Sequence, residues 1–141
     1  MNSNFTLHPQ LAADCIVAGD LPLTRVLLND DANYPWLILV PRKPGLVDLT
    51  DLSDDDQARL LREVSSAARA LKEITRYEKL NVAALGNQVP QLHVHVIARF
   101  RSDAAWPNPV WGKAPRKAYD TNARERLLEA VRRQLEIDAP I

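Results

Sequence analysis

The chain has 141 residues with 18 basic and 18 acidic side chains, so its formal net charge is zero. This length predicts one domain, 1–141, and the charge balance gives no attraction for a long polyanion, so we expect no extended nucleic-acid partner. Cys15 is the only cysteine, which excludes an intramolecular disulfide. The sequence shows neither a signal peptide nor an apolar run long enough to span a membrane. We therefore expect a cytoplasmic protein without a membrane partner.

Two apolar segments, residues 23–28 and 36–40, are separated by a turn-like sequence, NDDANYP. Their branched apolar side chains predict two paired β-strands. The second segment is apolar throughout, which indicates a strand buried on both faces. Pro41 and Pro44 follow it and are expected to end the strand, because proline cannot donate to a β-ladder.

The apolar period changes after Ser53 and predicts a long helix from Ser53 to Ile74. Ser53 is suited to cap the first turn, and Asp54, Asp55 and Asp56 suit the positive end of the helix dipole. This capping role explains the three acidic residues without a metal site. Apolar residues recur at three- and four-residue intervals at Leu60, Leu61, Val64, Ala67, Ala68, Leu71 and Ile74.

The second half of the chain predicts a β-hairpin and a C-terminal helix. Residues 80–85 and 91–99 are expected to be strands joined by a turn at 86–87. In the Pro- and Trp-rich stretch 103–115, Trp106 and Trp111 either cover the pocket or only pack on the sheet, and packing is favoured because tryptophan is largely buried on average. The C-terminal helix is indicated by helical spacing at Leu127, Leu128, Val131 and Leu135. The fold class is therefore α+β, a mainly antiparallel sheet backed by one long helix and a C-terminal helix.

Two of the three histidines, His93 and His95, lie two residues apart in the last predicted strand. Because side chains alternate faces along a strand, Gln91, His93 and His95 are expected to project together at ~6.6 Å spacing. The intervening Leu92, Val94 and Val96 then point into the core. The polar face is expected to line a cleft.

An imidazole pair in a cleft is suited to phosphoryl chemistry. A neutral imidazole is nucleophilic near neutral pH and leaves readily once phosphorylated, and a protonated second imidazole can bind a phosphate oxygen. Two alternatives are half of a metal site, completed by carboxylates, and histidines on a solvated sheet surface. His8, next to Pro9, is expected to have a structural or surface role.

The sequence from Gly86 to Arg99, GNQVPQLHVHVIAR, resembles the signature of the histidine-triad (HIT) superfamily, in which histidines alternate with apolar residues after a Gly-Asn/Gln turn. Residues 37–44, LILVPRKP, resemble the family's strand that ends in proline and basic residues. The resemblance extends over roughly 23–99, and 103–112 is similar to a group of small bacterial HIT proteins. It implies a HIT-like fold, a homodimer and a nucleotide hydrolase or transferase.

The same resemblance implies roles for individual residues. His93 occupies the position of the family's nucleophile, and His95 that of a phosphate ligand. Asn87 and Gln88 match turn residues that contact phosphate oxygens and the leaving group. Asn29 lies in the segment that touches the ribose in relatives.

Gln91 departs from the family pattern, because it stands where the first histidine of the triad is expected. An amide can still hydrogen-bond but cannot carry charge, so hydrogen bonding that orients the catalytic group is altered. The predicted function is attack of His93 on the α-phosphate of a nucleoside phosphate, with no cofactor and no metal ligand. The alternative is a nucleotide-binding sensor or interaction module that has lost turnover.

Overall fold

The computed structural model describes residues 4–141, which form three α-helices and a five-stranded antiparallel sheet. A 3-10 turn, Leu49–Asp51, precedes the longest helix. The α+β class is as predicted. In chain order the elements are α1 (Pro9–Asp14), β1 (Cys15–Asp20), β2 (Thr24–Asn29), β3 (Trp36–Pro41), α2 (Asp54–Thr75), β4 (Lys79–Ala83), β5 (Val94–Arg99) and α3 (Thr121–Leu135).

The sheet has the strand order β1-β2-β3-β5-β4, and every neighbouring pair is antiparallel. The predicted pairing of β2 with β3 is confirmed, with Thr24 opposite Pro41 and Leu28 opposite Leu37. All six residues of β3 are buried. This explains the uninterrupted apolar run, because a central strand has no solvated face.

The long helix begins as the sequence predicts. The Ser53 hydroxyl accepts a hydrogen bond from the Asp56 N–H, and all three aspartates lie in the first turn. One residue of α2 was not singled out from the sequence. Glu63 is buried, and its carboxylate accepts hydrogen bonds from the backbone N–H groups of Leu23 and Thr24. This carboxylate fixes α2 against the start of β2.

Both faces of the sheet are covered. On one face, α2 and α3 pack over a core that includes Leu92, Val94 and Val96, as predicted. The other face was expected to be a polar cleft, but it carries a second apolar cluster. That cluster includes Leu11 from α1 and Val110 from the Pro-rich segment. The predicted cleft is therefore confined to one cavity beside the histidines, and the apolar cluster covers much of the remaining face.

The predicted hairpin is only partly correct. β4 ends at Ala83 and β5 begins at Val94, with Ala83 opposite His95, so a long loop replaces the expected tight turn. Gly86 has a φ of 85° and turns the backbone within that loop. Pro90 has no N–H, and the Leu92 N–H donates to the Leu46 carbonyl. These interactions direct residues 90–93 away from β4.

Neither α1 nor β1 was predicted from the sequence. β1 is an edge strand of the sheet, and α1 immediately precedes it. His8 caps α1, because its Nδ1 accepts a hydrogen bond from the Gln10 N–H at 3.0 Å. The expected structural role of His8 is confirmed. No helix in residues 4–141 combines the length and apolar character needed to cross a membrane.

Candidate active site

His93 lies immediately before β5, with its ring held by the backbone. Its Nδ1 is 2.6 Å from the carbonyl oxygen of Gln91. A carbonyl can only accept a hydrogen bond, so Nδ1 carries a proton, and in the neutral form of the ring the lone pair is on Nε2. The side chain is 6% exposed and lines a cavity. His93 therefore meets the chemical requirement for a nucleophile.

His95 lies within β5, and its ring centre is 4.9 Å from that of His93. The indole Nε1–H of Trp36 donates to His95 Nδ1 at 3.0 Å. The neutral ring consequently carries its proton on Nε2. Burial, followed by the neighbouring His93, lowers the pKa of His95 to about 4. This pKa disfavours the protonated second imidazole considered from the sequence, and His95 is instead suited to act as a neutral hydrogen-bond donor at neutral pH.

Gln91 was expected to share a strand face with both histidines. β5 begins only at Val94, so Gln91 and His93 both precede the strand. The side-chain amide of Gln91 binds the N-terminal segment. Its Nε2 donates to the Thr6 carbonyl and its Oε1 accepts from the His8 N–H, both at 2.8 Å. Gln91 borders a neighbouring cavity of about 430 Å³, which His93 also lines. The amide thus connects the histidine segment to the chain start.

The cavity beside the histidines has a volume of about 470 Å³. It brings together five of the six residues predicted from the sequence, because Asn29, Asn87 and Gln88 line it with His93 and His95. Asn87 and Gln88 are exposed on the loop before β5. Its remaining lining residues are Gln10, Leu11, Asp14, Cys15, Trp36, Ile38, Leu85, Gly86, Val89, Trp111 and Arg116.

Asn29 is oriented by Arg116, a residue that sequence reasoning did not select. Arg116 Nη1 donates to Asn29 Oδ1 at 3.0 Å and also contacts the Asp30 carbonyl at 2.9 Å. A guanidinium has no acceptor, so the Asn29 oxygen must face it. Within residues 4–141 no acceptor pairs with the Asn29 amide nitrogen. Asn29 thus lines the cavity with its side-chain oxygen already bonded to Arg116.

The two tryptophans of the Pro-rich segment have different positions. Trp106 packs beside the Arg99 guanidinium, 5.8 Å from its ring centre, as expected. Trp111 does not only pack on the sheet, because it lines the cavity and is 39% exposed. Its ring meets the rings of His95 and Trp36 edge to face, with ring centres 5.1 and 5.7 Å apart, respectively. Trp111 therefore forms a wall of the candidate site.

Cys15 also lines the cavity, but its thiol is not a competing nucleophile at neutral pH. Burial and the nearby Asp14 carboxylate raise the pKa of Cys15 to about 12. The thiol is therefore protonated at neutral pH, whereas thiolates are the reactive form.

In the described range 4–141, no three His, Cys, Asp or Glu side chains are grouped so that they can share a metal ion.

Residues 10–102 match the model of the HIT domain family, and the chain belongs to this family. A histidine triad protein from Bradyrhizobium japonicum is 54% identical, with a TM-score of 0.92 over 93% of this chain and 98% of that chain. A histidine triad protein from Marinobacter aquaeolei is 44% identical, with a TM-score of 0.90 over 94% and 96% of the two chains. These similarities extend well beyond the signature segment.

Among curated proteins, two AP-4-A phosphorylases from strains of Mycobacterium tuberculosis are similar to this chain. Each is 31% identical over 107 residues, which cover 71% of this chain. The aligned region covers 55% of each phosphorylase, so the chain spans about half the length of these relatives.

Proposed function

We propose that this protein is a nucleotide-binding hydrolase or nucleotidyl transferase that acts at the α-phosphate of a nucleoside phosphate. The observation that carries the proposal is the hydrogen bond from His93 Nδ1 to the Gln91 carbonyl, which leaves Nε2 as the nucleophile beside the cavity. The substrate is of the phosphoramidate or dinucleoside polyphosphate type. Similarity to the AP-4-A phosphorylases supports the second of these types.

In the proposed reaction, His93 Nε2 forms a bond to the α-phosphorus while the bond to the leaving group breaks. The neutral Nε2–H of His95 donates to a phosphate oxygen as negative charge develops there. Water or another acceptor then attacks the same phosphorus and displaces the His93 imidazole. The leaving group departs with its bonding electron pair in the first step and takes up a proton from solvent. The second step yields the nucleotide, bonded to the oxygen of water or of the other acceptor, and the free enzyme, and no step uses a metal ligand of this chain.

The remaining predicted residues have proposed roles around this centre. The exposed amides of Asn87 and Gln88 contact phosphate oxygens and the leaving group. Asn29 donates from its amide nitrogen to a ribose oxygen, and Arg116 maintains that orientation. Gln91 is proposed to position the histidine segment rather than to contact the substrate, because its amide is already hydrogen-bonded at both ends.

The function is tested by incubating the purified protein with a nucleoside phosphoramidate, adenylylated lysine and diadenosine tetraphosphate. Release of a mononucleotide from at least one substrate, measured by chromatography, is expected. The same samples should be examined for binding by calorimetry. A protein that neither binds nor cleaves any of the three would contradict the proposed substrate class.

The second candidate is a catalytically impaired nucleotide-binding sensor. The specific observation in its favour is the amide at position 91, where the family signature has a histidine. Binding of the nucleotides without detectable release would favour this candidate. Release that depends on His93 would exclude it.

Replacing Gln91 with alanine is expected to loosen the N-terminal segment more than it impairs chemistry. The substitution removes two hydrogen bonds, each with a net contribution of about 1 kcal/mol. Hydrogen exchange at the His8 amide should therefore accelerate by roughly tenfold or more. An unchanged His8 exchange rate would show that Gln91 does not hold this segment.

We also propose that the protein is a symmetric homodimer. Apolar side chains are unusually exposed at Val47, Leu49 and Leu85, which are 46–52% exposed. All three border the cavity of about 430 Å³ that Gln91 and His93 also line. Adjacent β4 is an edge strand of the sheet, and such surfaces favour association. Sedimentation is expected to give twice the chain mass of 15.8 kDa. A monomer across micromolar concentrations would contradict the proposal.

Residues 1–141 are proposed to act as one domain, in the cytoplasm. The single cysteine is consistent with a reducing compartment, because no disulfide within the chain is possible.

A further inference from the structure

The environment of His95 depends on a hydrogen bond between neighbouring strands. Trp36 is in β3, and Ile38, two residues further on, pairs with His95 of β5. Trp36 is thus diagonal to His95 on the same sheet face, where long side chains can meet. Its indole Nε1–H donates to His95 Nδ1 at 3.0 Å, and both side chains are buried.

The chemistry of this pair is restricted. Indole nitrogen is only a donor, so it can pair with an unprotonated imidazole nitrogen but not with an N–H group. Protonation of Nδ1 would break the bond and place two N–H groups against each other. A hydrogen bond to the neutral form of a titratable group disfavours its charged form.

The surroundings reinforce this restriction. The rings of Trp36 and Trp111 lie with their centres 5.6 and 5.1 Å from that of His95. The strand partners Ile38 and Ala83 carry no charge. None of these four neighbours carries a negative charge that would offset the cost of burying a cation at His95.

Few titratable or charged groups share the cavity with His95. His93 is nearest, and its positive form would repel a second cation. Asp14, Cys15 and Arg116 line the cavity from α1, β1 and the segment before α3. Gln10 Nε2 donates a hydrogen bond to Asp14 Oδ2 at 2.9 Å, and the same oxygen is 3.9 Å from Arg116 Nη2. The negative charge of Asp14 is thus partly compensated by Gln10 and Arg116.

We propose that Trp36 is a positioning residue that fixes His95 as an uncharged donor through Nε2–H. The proposal deepens the proposed function, because it assigns the phosphate-binding group a fixed tautomer. Since His95 remains neutral across physiological pH, its contact with a phosphate oxygen is independent of pH there. Proton gain by His95 does not contribute to binding.

Nuclear magnetic resonance of protein with ¹⁵N-labelled histidine tests this directly, because the chain has only three histidines. Long-range ¹H–¹⁵N correlations distinguish a protonated from a bare ring nitrogen. The unmodified protein is expected to show His95 with the proton on Nε2 and none on Nδ1 down to about pH 5. A proton on Nδ1 at neutral pH would overturn the proposal, and this measurement needs no variant.

The substitution Trp36→Phe removes the donor and keeps an aromatic ring. His95 is expected to populate the Nδ1–H tautomer or to protonate at a pH about one unit higher or more. The matched control is Trp111→Phe, which alters a ring against His95 but retains the Trp36 hydrogen bond. The control should keep the Nε2–H tautomer. The same tautomer and titration in Trp36→Phe as in the unmodified protein would overturn the proposal.

The pH dependence of kcat adds a second readout. Trp36→Phe should introduce an additional ionisation on the acidic side of the profile, whereas Trp111→Phe should not. The absence of this ionisation would contradict the assigned role in turnover. If no substrate is cleaved, the proposed function fails, but the tautomer measurement still decides whether Trp36 fixes His95.

Discussion

Replacing His93 with alanine is expected to abolish nucleotide release while leaving nucleotide binding largely intact. A covalent route has no substitute once its nucleophile is removed, and such losses reach about 10⁴-fold or more in kcat. The other walls of the cavity are retained. Calorimetry should consequently show a dissociation constant for a mononucleotide within about tenfold of the unmodified protein.

Two further histidine variants make this prediction specific. His95→Ala removes a donor to the phosphate, and such losses are typically about 10²- to 10³-fold in rate. His8→Ala removes an imidazole that caps α1 and does not line the cavity, so turnover should change by less than about tenfold. Near-normal turnover in His93→Ala, or an equal loss in His8→Ala, would contradict the assigned roles.

Replacing Asp103 with alanine is expected to reduce the free energy of unfolding by about 3–5 kcal/mol. Arg99 Nε donates to Asp103 Oδ2 at 2.7 Å, and the two side chains are only 3% and 4% exposed. The Asp103 carboxylate also accepts from the backbone N–H groups of Phe100, Ala105 and Trp106. Its removal leaves a buried guanidinium without its counter-charge. Urea denaturation at neutral pH measures the loss.

The pH dependence of this effect has a definite sign. Burial alone would raise the pKa of Asp103, but hydrogen bonds from Arg99 and the backbone outweigh it and lower the pKa from 3.8 to about 2. The ionised carboxylate therefore contributes its full stabilisation above about pH 4, and loses it as the pH falls towards 2. The difference between the unmodified protein and Asp103→Ala should narrow over this range.

The exposed ion pair between Glu78 and Arg101 provides the matched control. Arg101 Nε is 3.7 Å from Glu78 Oε2, and the side chains of Glu78 and Arg101 are 45% and 80% exposed. Exposed pairs contribute only about 0–1 kcal/mol, so Glu78→Ala should have a much smaller effect. A similar loss from both substitutions would show that the buried pair has no special contribution.

The elements predicted most accurately were those with a regular apolar period. β2, β3 and α2 each bury a regular set of side chains, which a single sequence displays. β1 was missed because its register shifts between Val17 and Gly19, which breaks the alternation. α1 was missed because it has six residues and a histidine cap, rather than one of the preferred capping residues.

At the candidate site, sequence could identify side chains by type but not their hydrogen-bond partners. The pair His93 and His95 was predicted from spacing, and the cavity brings both together with Asn29. The hydrogen bond that orients His95 could not be predicted, because its donor, Trp36, is 59 residues away in the sequence. Arg116 is 87 residues from Asn29. Such contacts depend on strand order and loop paths, which local periodicity does not encode.

The measurement that tests the central claim most directly is mass spectrometry of the enzyme quenched in alkali during turnover. Trypsin is expected to release residues 80–99, which contain both His93 and His95, so fragmentation must assign the modified ring. The account predicts an added nucleoside monophosphate group on His93, absent from His93→Ala. An adduct on His95 or elsewhere, or none during confirmed turnover, would contradict nucleophilic attack by His93.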